Sequence, residues 1–230
     1  MTLFHDAYLF QLSEFYGKVD QQIALGLDVV EAYVALRQEA IHIYDQEPGV
    51  RMLSDEYGGW GRSAILTQVP EQQPDDIDDI VFWLVILLYS TLTQLQPPLG
   101  LQTYWRLLER LLKGTNWSSS DVTLLVRGHP LGKSWHSEPR TTSATTTEAI
   151  WATALSRLRP PSMDGQLGWI ARADCQRLLS QLEADEQQIE SIAQATMTDV
   201  VVAKIALTKA IEMLSAAASQ DIDLCVITSG

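Results

Sequence analysis

The sequence predicts a mainly α-helical globular fold, a multi-helix bundle built around one buried central helix at about residues 76–95. Three observations lead to this prediction. Residues 80–89 are all apolar or aromatic, acidic residues precede this run, and two prolines follow it. Much of the remaining chain repeats its apolar residues at three- and four-residue spacing, which is typical of amphipathic helices.

The central run IVFWLVILLY, from Ile80 to Tyr89, leaves no side suited to water. Four aspartates lie between positions 75 and 79, where acidic side chains match the positive end of a helix dipole. Pro97 and Pro98 end the helix. The unbroken run is well short of the roughly 20 residues that a membrane span needs, so we expect burial in protein rather than in lipid.

In the first third of the chain, the spacing of Phe4, Tyr8, Leu12 and Phe15 predicts a helix over residues 3–16. A second helix is expected to begin at Asp28, because Glu31 completes a capping-box pattern. Three short segments rich in β-forming residues are predicted to pair in a small antiparallel sheet, namely residues 50–53, 64–69 and 222–228.

The later part of the chain is predicted to be helical, at residues 100–113, 122–127, 148–159, 172–183 and 185–218. The Thr- and Ser-rich segment 141–147 is interpreted as a linker or loop. We therefore expect a single domain over residues 1–230, with sub-lobes 1–140 and 148–230 as the alternative division.

Composition limits the function classes. The net charge of −13 argues against a general nucleic-acid binder. Two cysteines form no disulfide framework, and the N-terminal residues lack a basic signal-peptide start, so a soluble cytoplasmic protein is expected. Of the segments 1–100, 101–160 and 161–230, only 101–160 has a positive net charge, with 8 basic and 4 acidic side chains. This segment either neutralises acidic neighbours or binds an acidic partner.

Motifs for common chemistry are absent from the sequence. It contains no phosphate-binding loop, dinucleotide fingerprint, paired-cysteine motif, zinc-protease motif or nucleophile elbow. We therefore predict no cofactor and no metal, and leave enzyme activity open while favouring a non-catalytic protein. His129, His136 and Glu138 can be interpreted as metal ligands, but their spacing matches no established pattern and a basic surface loop explains them as well.

Candidate partner-binding residues fall in three segments. Aromatic and arginine side chains on a Gly-rich loop are good interface anchors, and basic residues at i, i+4 and i+7 form one helix stripe. The candidates are Tyr57, Trp60, Arg62, Arg106, Arg110, Lys113, Arg127, His129 and His136. We expect an interaction or regulatory protein of immunity or adaptor type. The alternatives are an enzyme or ligand-binding domain, with its site between loops 57–62 and 127–140, and a subunit of an oligomer.

Overall fold

The structure is a computed structural model that describes residues 4–58, 77–95, 104–134, 146–158, 166–196 and 199–229. It confirms the predicted mainly α-helical fold. In chain order its elements are β1 (Phe4–Phe10), α1 (Leu12–Ala24), α2 (Val29–Gln46), α3 (Pro48–Gly58), α4 (Ile77–Tyr89), β2 (Leu92–Gln94), α5 (Trp105–Leu112), α6 (Ser119–Arg127), β3 (His129–Pro130), α7 (Leu131–Ser134), α8 (Thr146–Ser156), β4 (Gln166–Ile170), α9 (Arg172–Ala195), α10 (Val200–Gln220) and β5 (Asp223–Ser229).

The chain divides into two compact units, each assembled from separate segments. Unit 1 consists of Met1–Gln11, Thr93–His129 and Gln166–Gly230. Unit 2 consists of Leu12–Leu92 and Pro130–Gly165. Both units therefore draw on each side of segment 141–147. The predicted single domain over residues 1–230 stays a prediction.

Unit 2 is organised around α4, which packs against α1, α2, α3 and α8. From Ile80 to Tyr89 every residue except Val81 is buried, which confirms the predicted central helix. The helix ends at Tyr89 rather than near residue 95. The Thr91 N–H donates to the Leu88 carbonyl at 2.9 Å, three residues back, which tightens the last turn, and the chain then continues as β2 from Leu92. None of the described helices is long and apolar enough to cross a membrane.

The predicted capping box at the start of α2 is confirmed. The Asp28 carboxylate accepts from the Glu31 backbone N–H at 2.9 Å, and the Glu31 carboxylate accepts from the Asp28 N–H at 3.3 Å. These bonds satisfy two N–H groups that a helix start would otherwise leave without a partner.

The predicted strand at residues 50–53 is wrong, because these residues belong to α3. Pro48 occupies the first helical position, where its fixed φ suits the helix and its missing N–H is not needed. Val50 and Leu53 are both buried, at the three-residue spacing of one helix face. The other predicted strand of this pair, residues 64–69, lies outside the described residues.

The sheet in the described chain has five strands in the order β2-β1-β5-β4-β3, with β5 antiparallel to both β1 and β4. The predicted C-terminal strand 222–228 is confirmed as β5. Its neighbours differ from the prediction, because residues 4–10 of the expected helix 3–16 form β1, while its residues 12–16 begin α1. The four consecutive residues from Ala7 to Phe10 are all buried, so this strand shows no alternation that would distinguish it from a helix.

The core of unit 1 forms where the sheet meets its helices. Leu9, Leu224 and Ile170 lie opposite one another across β1, β5 and β4, on the same face as Ala7 and Val226. These side chains join a buried cluster with residues of α5, α6, α9 and α10. The alternation of strand side chains therefore places every second residue against the helices.

The boundary between the last two helices differs from the prediction. Asp185 was expected to begin a helix, but α9 continues through it to Ala195. Its carboxylate instead accepts a hydrogen bond from the Trp117 indole N–H at 2.9 Å. Asp199 caps α10, because its carboxylate accepts from the Val201 N–H at 2.9 Å.

Candidate functional site

The basic stripe predicted from the sequence lies on the outer face of α5. Four apolar side chains of this helix and its flank are buried, namely Trp105, Leu108, Leu111 and Leu112. Arg106, Arg110 and Lys113 are exposed. The same periodicity that holds α5 against the core of unit 1 thus presents its cations to solvent.

Lys113 is neutralised within its own helix. Its ammonium group donates to the Glu109 carboxylate at 2.7 Å. An acidic residue four positions before a lysine is the favourable orientation for such a pair, and the pair contributes about 0.3–0.5 kcal/mol to helix stability. Lys113 therefore has a local structural role.

The side chains of three predicted residues make no hydrogen bond, ion pair or ring contact with the described part of the chain. These residues are Arg106, Arg110 and Arg127. All three are exposed. Every other lysine and arginine side chain that the structure describes has such an interaction: Lys18, Arg37, Arg51, Lys113, Arg157, Arg172, Arg177, Lys204 and Lys209. We call Arg106, Arg110 and Arg127 the unpaired arginines.

The three unpaired arginines differ in their position relative to the helix dipole. Arg110 and Arg127 lie in the last turns of α5 and α6, where a positive charge is favourable. Arg106 lies in the first turn of α5, where the dipole is positive and a cation is unfavourable. Local helix electrostatics therefore explain Arg110 and Arg127 but give no reason for Arg106.

The His129 side chain lies close to two other side chains of unit 1, those of Trp169 and Asp174. Its imidazole lies against the Trp169 indole, with ring centroids 5.5 Å apart and planes tilted by 50°. Its Nε2 atom is 3.7 Å from the Asp174 carboxylate, and the side chain is 51% exposed. The ring is thus held in place by its own chain while keeping one side open to solvent.

The carboxylate beside His129 belongs to a larger ion network. Arg177 lies between Asp174, at 3.1 Å, and Asp121, at 2.8 Å. The hydrogen bond from the Ser118 hydroxyl, followed by the Arg177 guanidinium, holds the pKa of Asp121 below its ordinary value. This network ties the start of α6 to the start of α9, which is a structural function.

Close backbone contacts at Gly128 and Gly168 position the chain segment that leads into His129. Gly128 has a φ of 66° and ends α6, and an added Cβ would lie only 2.6 Å from the backbone nitrogen of Trp169. An added Cβ at Gly168 would overlap the carbonyl oxygen of Arg127. The sequence predicted a helix end at residue 127 but carried no signal for the contact with Gly168.

The predicted 127–140 loop is wrong for its first half. Arg127 ends α6, His129–Pro130 form β3, and Leu131–Ser134 form α7. Gly132 allows this arrangement, because an added Cβ would overlap the carbonyl oxygen of Leu155. The chain turns here on close backbone contacts that a sequence pattern does not report.

The remaining predicted residues stay predictions. Tyr57 lies in the last turn of α3 with only its backbone described, while Trp60, Arg62 and His136 lie outside the described residues. Over the described ranges, no group of three or more His, Cys, Asp or Glu side chains could hold a metal ion.

Neither cysteine is placed for catalysis. Cys175 and Cys225 are both free and buried. Burial, with Asp223 and Asp174 adding to it, raises the pKa of Cys175 to about 12. Its thiol is therefore protonated near neutral pH and is a poor nucleophile.

Comparison of the chain with known protein families, with characterised proteins and with solved structures gave no match.

Proposed function

We propose that this chain is a soluble, cytoplasmic, non-catalytic interaction or regulatory protein of immunity or adaptor type, and that it binds a protein partner through its unpaired arginines. The observation that supports this function is the contrast among the described cations. All except Arg106, Arg110 and Arg127 are engaged within the chain.

Arginine is suited to such a role. Its planar guanidinium offers five N–H donors in a fixed arrangement, and arginine is enriched among the residues that dominate protein–protein binding energy. Exposed arginines that have no partner among the described residues can make these bonds without first breaking such an internal one. Binding therefore avoids the penalty of leaving another charged group unpaired.

The test is affinity capture from cell extract, with cross-linking to locate the contact on the bait. The variant is the triple substitution Arg106→Gln, Arg110→Gln and Arg127→Gln. The matched control is Gln187→Glu, Gln188→Glu and Gln194→Glu on the exposed surface of α9. Each variant lowers the net charge by three, from −13 to −16.

We expect the arginine variant to lose a partner that wild type and control retain, with cross-links on α5 or α6. An identical partner set for all three proteins, or cross-links confined to other elements, contradicts the proposal.

A second candidate, an enzyme or ligand-binding domain, is favoured by one observation. His129 lies 3.7 Å from the Asp174 carboxylate and remains half exposed, as a general base or metal ligand does. Metal analysis of the purified protein tests it, with His129→Ala and His136→Ala combined in one variant. Stoichiometric metal in wild type that the double variant lacks supports this candidate over the interaction protein.

A further inference from the structure

We propose, building on the proposed function, that Arg106 and Arg110 recognise an acidic polypeptide surface and that Arg106 is its principal anchor. The proposal names the chemistry of the partner: two carboxylates spaced to meet two guanidinium groups one helical turn apart.

Arg106 carries its charge at the unfavourable end of α5. It is an exposed cation in the first turn of α5, and no acidic residue occupies that turn. The N-cap residue, Tyr104, makes no side-chain hydrogen bond to the helix. A positive charge at this end opposes the helix dipole. Arg106 thus has no ion-pair partner among the described residues and an unfavourable helix dipole, whereas a negatively charged partner gains from both the arginine and the nearby helix start.

The spacing of Arg106 and Arg110 matches that of two carboxylates on a partner helix. Arg106 and Arg110 are four residues apart on one exposed helix face, which places their Cβ atoms about 5–6 Å apart. Carboxylates four residues apart on a partner helix have the same spacing. Each guanidinium can then form a bidentate pair with one carboxylate, which is a stronger arrangement than a single ammonium contact.

Lys113 and His129 are not part of the proposed recognition surface. Lys113 already pairs with Glu109, and His129 lies beside Asp174. A partner carboxylate would have to displace these internal acids. The recognition surface is therefore narrower than the basic stripe of the sequence.

The small number of unpaired arginines favours a polypeptide over a nucleic acid as the partner. Two or three phosphate contacts are few for a duplex binder, which commonly makes about 6–10. Glu109 lies between the two arginines along α5, where it would repel a continuous phosphate backbone but leave room for two discrete carboxylates. At physiological salt, charges farther away than about 8 Å are largely screened, so the net charge of −13 does not prevent local pairing.

The experiment measures the affinity of the full chain for three probes by fluorescence anisotropy, at low and at physiological ionic strength. The probes are a synthetic helical peptide with glutamates at i and i+4, the same peptide with glutamines in those positions, and a short DNA duplex. We expect the glutamate peptide alone to bind appreciably, and more weakly at the higher salt.

Two substitutions at one position test the anchor. Arg106→Gln is expected to weaken binding of the glutamate peptide roughly 10- to 100-fold, whereas Arg106→Lys gives an intermediate loss. Gln194→Glu, which changes the net charge equally, should leave affinity unchanged. Arg106→Gln should keep or slightly raise Tm, because a cation leaves the first turn of α5.

The outcomes separate this inference from the proposed function. Equal binding of the two peptides, tighter binding of the duplex, or wild-type affinity of Arg106→Gln overturns the acidic-surface proposal. If affinity capture still depends on the unpaired arginines, the interaction function survives that result. If the peptide binds as expected but capture is independent of the arginines, the proposed function fails instead.

Discussion

The central elements of the two units, α4 and β5, are both apolar and buried, but they are stabilised by different means. Helix α4 satisfies its backbone hydrogen bonds internally and needs only apolar neighbours around it. Strand β5 has four consecutive buried residues, Leu224 to Ile227, and depends on β1 and β4 for its backbone partners. The comparison shows that equal burial can arise from local or from long-range structure.

The elements that pack against α4 and the strands that pair with β5 also lie at different distances along the chain. The segments around α4 include α1, α2 and α3, which precede it directly. The strands beside β5 begin at Phe4 and at Gln166, so the ladder joins distant parts of the chain. Closing such long loops is entropically unfavourable before the contacts form. We therefore expect unit 1 to be more sensitive to backbone changes than unit 2.

The largest effects are expected from removing a fully buried leucine in each element. Leu84→Ala in α4 and Leu224→Ala in β5 should each lower the free energy of unfolding by about 2–5 kcal/mol. Denaturant unfolding measures the loss. Amide hydrogen exchange sharpens the comparison, since Leu224→Ala should also speed exchange in β1 and β4. Unchanged exchange there would show that the ladder does not couple the three strands.

A smaller effect is expected from the glycine contact in unit 1. In Gly168→Ala the added Cβ meets the Arg127 carbonyl, so the strand has to shift, and stability should fall by about 1–3 kcal/mol. Gly17→Ala is the matched control. Gly17 lies within α1 with nothing within 4 Å of an added Cβ, so alanine should stabilise by about 0.5–1 kcal/mol. Effects of the same sign in thermal unfolding would refute the steric argument.

A local helix cap should contribute about 1 kcal/mol. Asp28→Ala removes the acceptor of the Glu31 N–H at the start of α2, and peptide and protein caps give losses of this size. Asp28→Asn keeps an acceptor and should retain most of the stability. Circular dichroism during urea unfolding measures both variants. An equal loss in the two would mean that the charge, and not the hydrogen bond, is responsible.

The smallest effect is expected from the long-range ion pair of Asp121 and Arg177. Because the folded protein lowers the pKa of Asp121, its ionised form stabilises the fold above the unfolded pKa of about 4. That stabilisation is lost as pH falls through the lower, folded pKa. Asp121→Asn should therefore be less stable than wild type near neutral pH, by under about 1 kcal/mol for this exposed pair. The difference should vanish in acid, and a constant difference would exclude the ionisation as its cause.

The candidate site was partly predictable. The i, i+4, i+7 spacing identified Arg106, Arg110 and Lys113 as one stripe, because α5 is a regular helix. The ion pair that neutralises the exposed Lys113 could also have been inferred from the sequence, since Glu109 lies four residues before it. The partners of His129 were not predictable. Asp174 and Trp169 lie far along the chain and reach His129 only through the folded sheet.

The sequence by itself determined the features whose hydrogen bonds are local: the central helix α4, the capping box at Asp28, and the amphipathic α5 with its exposed arginines. Only the tertiary structure decided that residues 4–10 form a strand and residues 50–53 a helix. It also decided which cations stay unpaired. A helix satisfies its backbone within a few residues, whereas a strand or an ion pair takes its partner from wherever the folded chain returns.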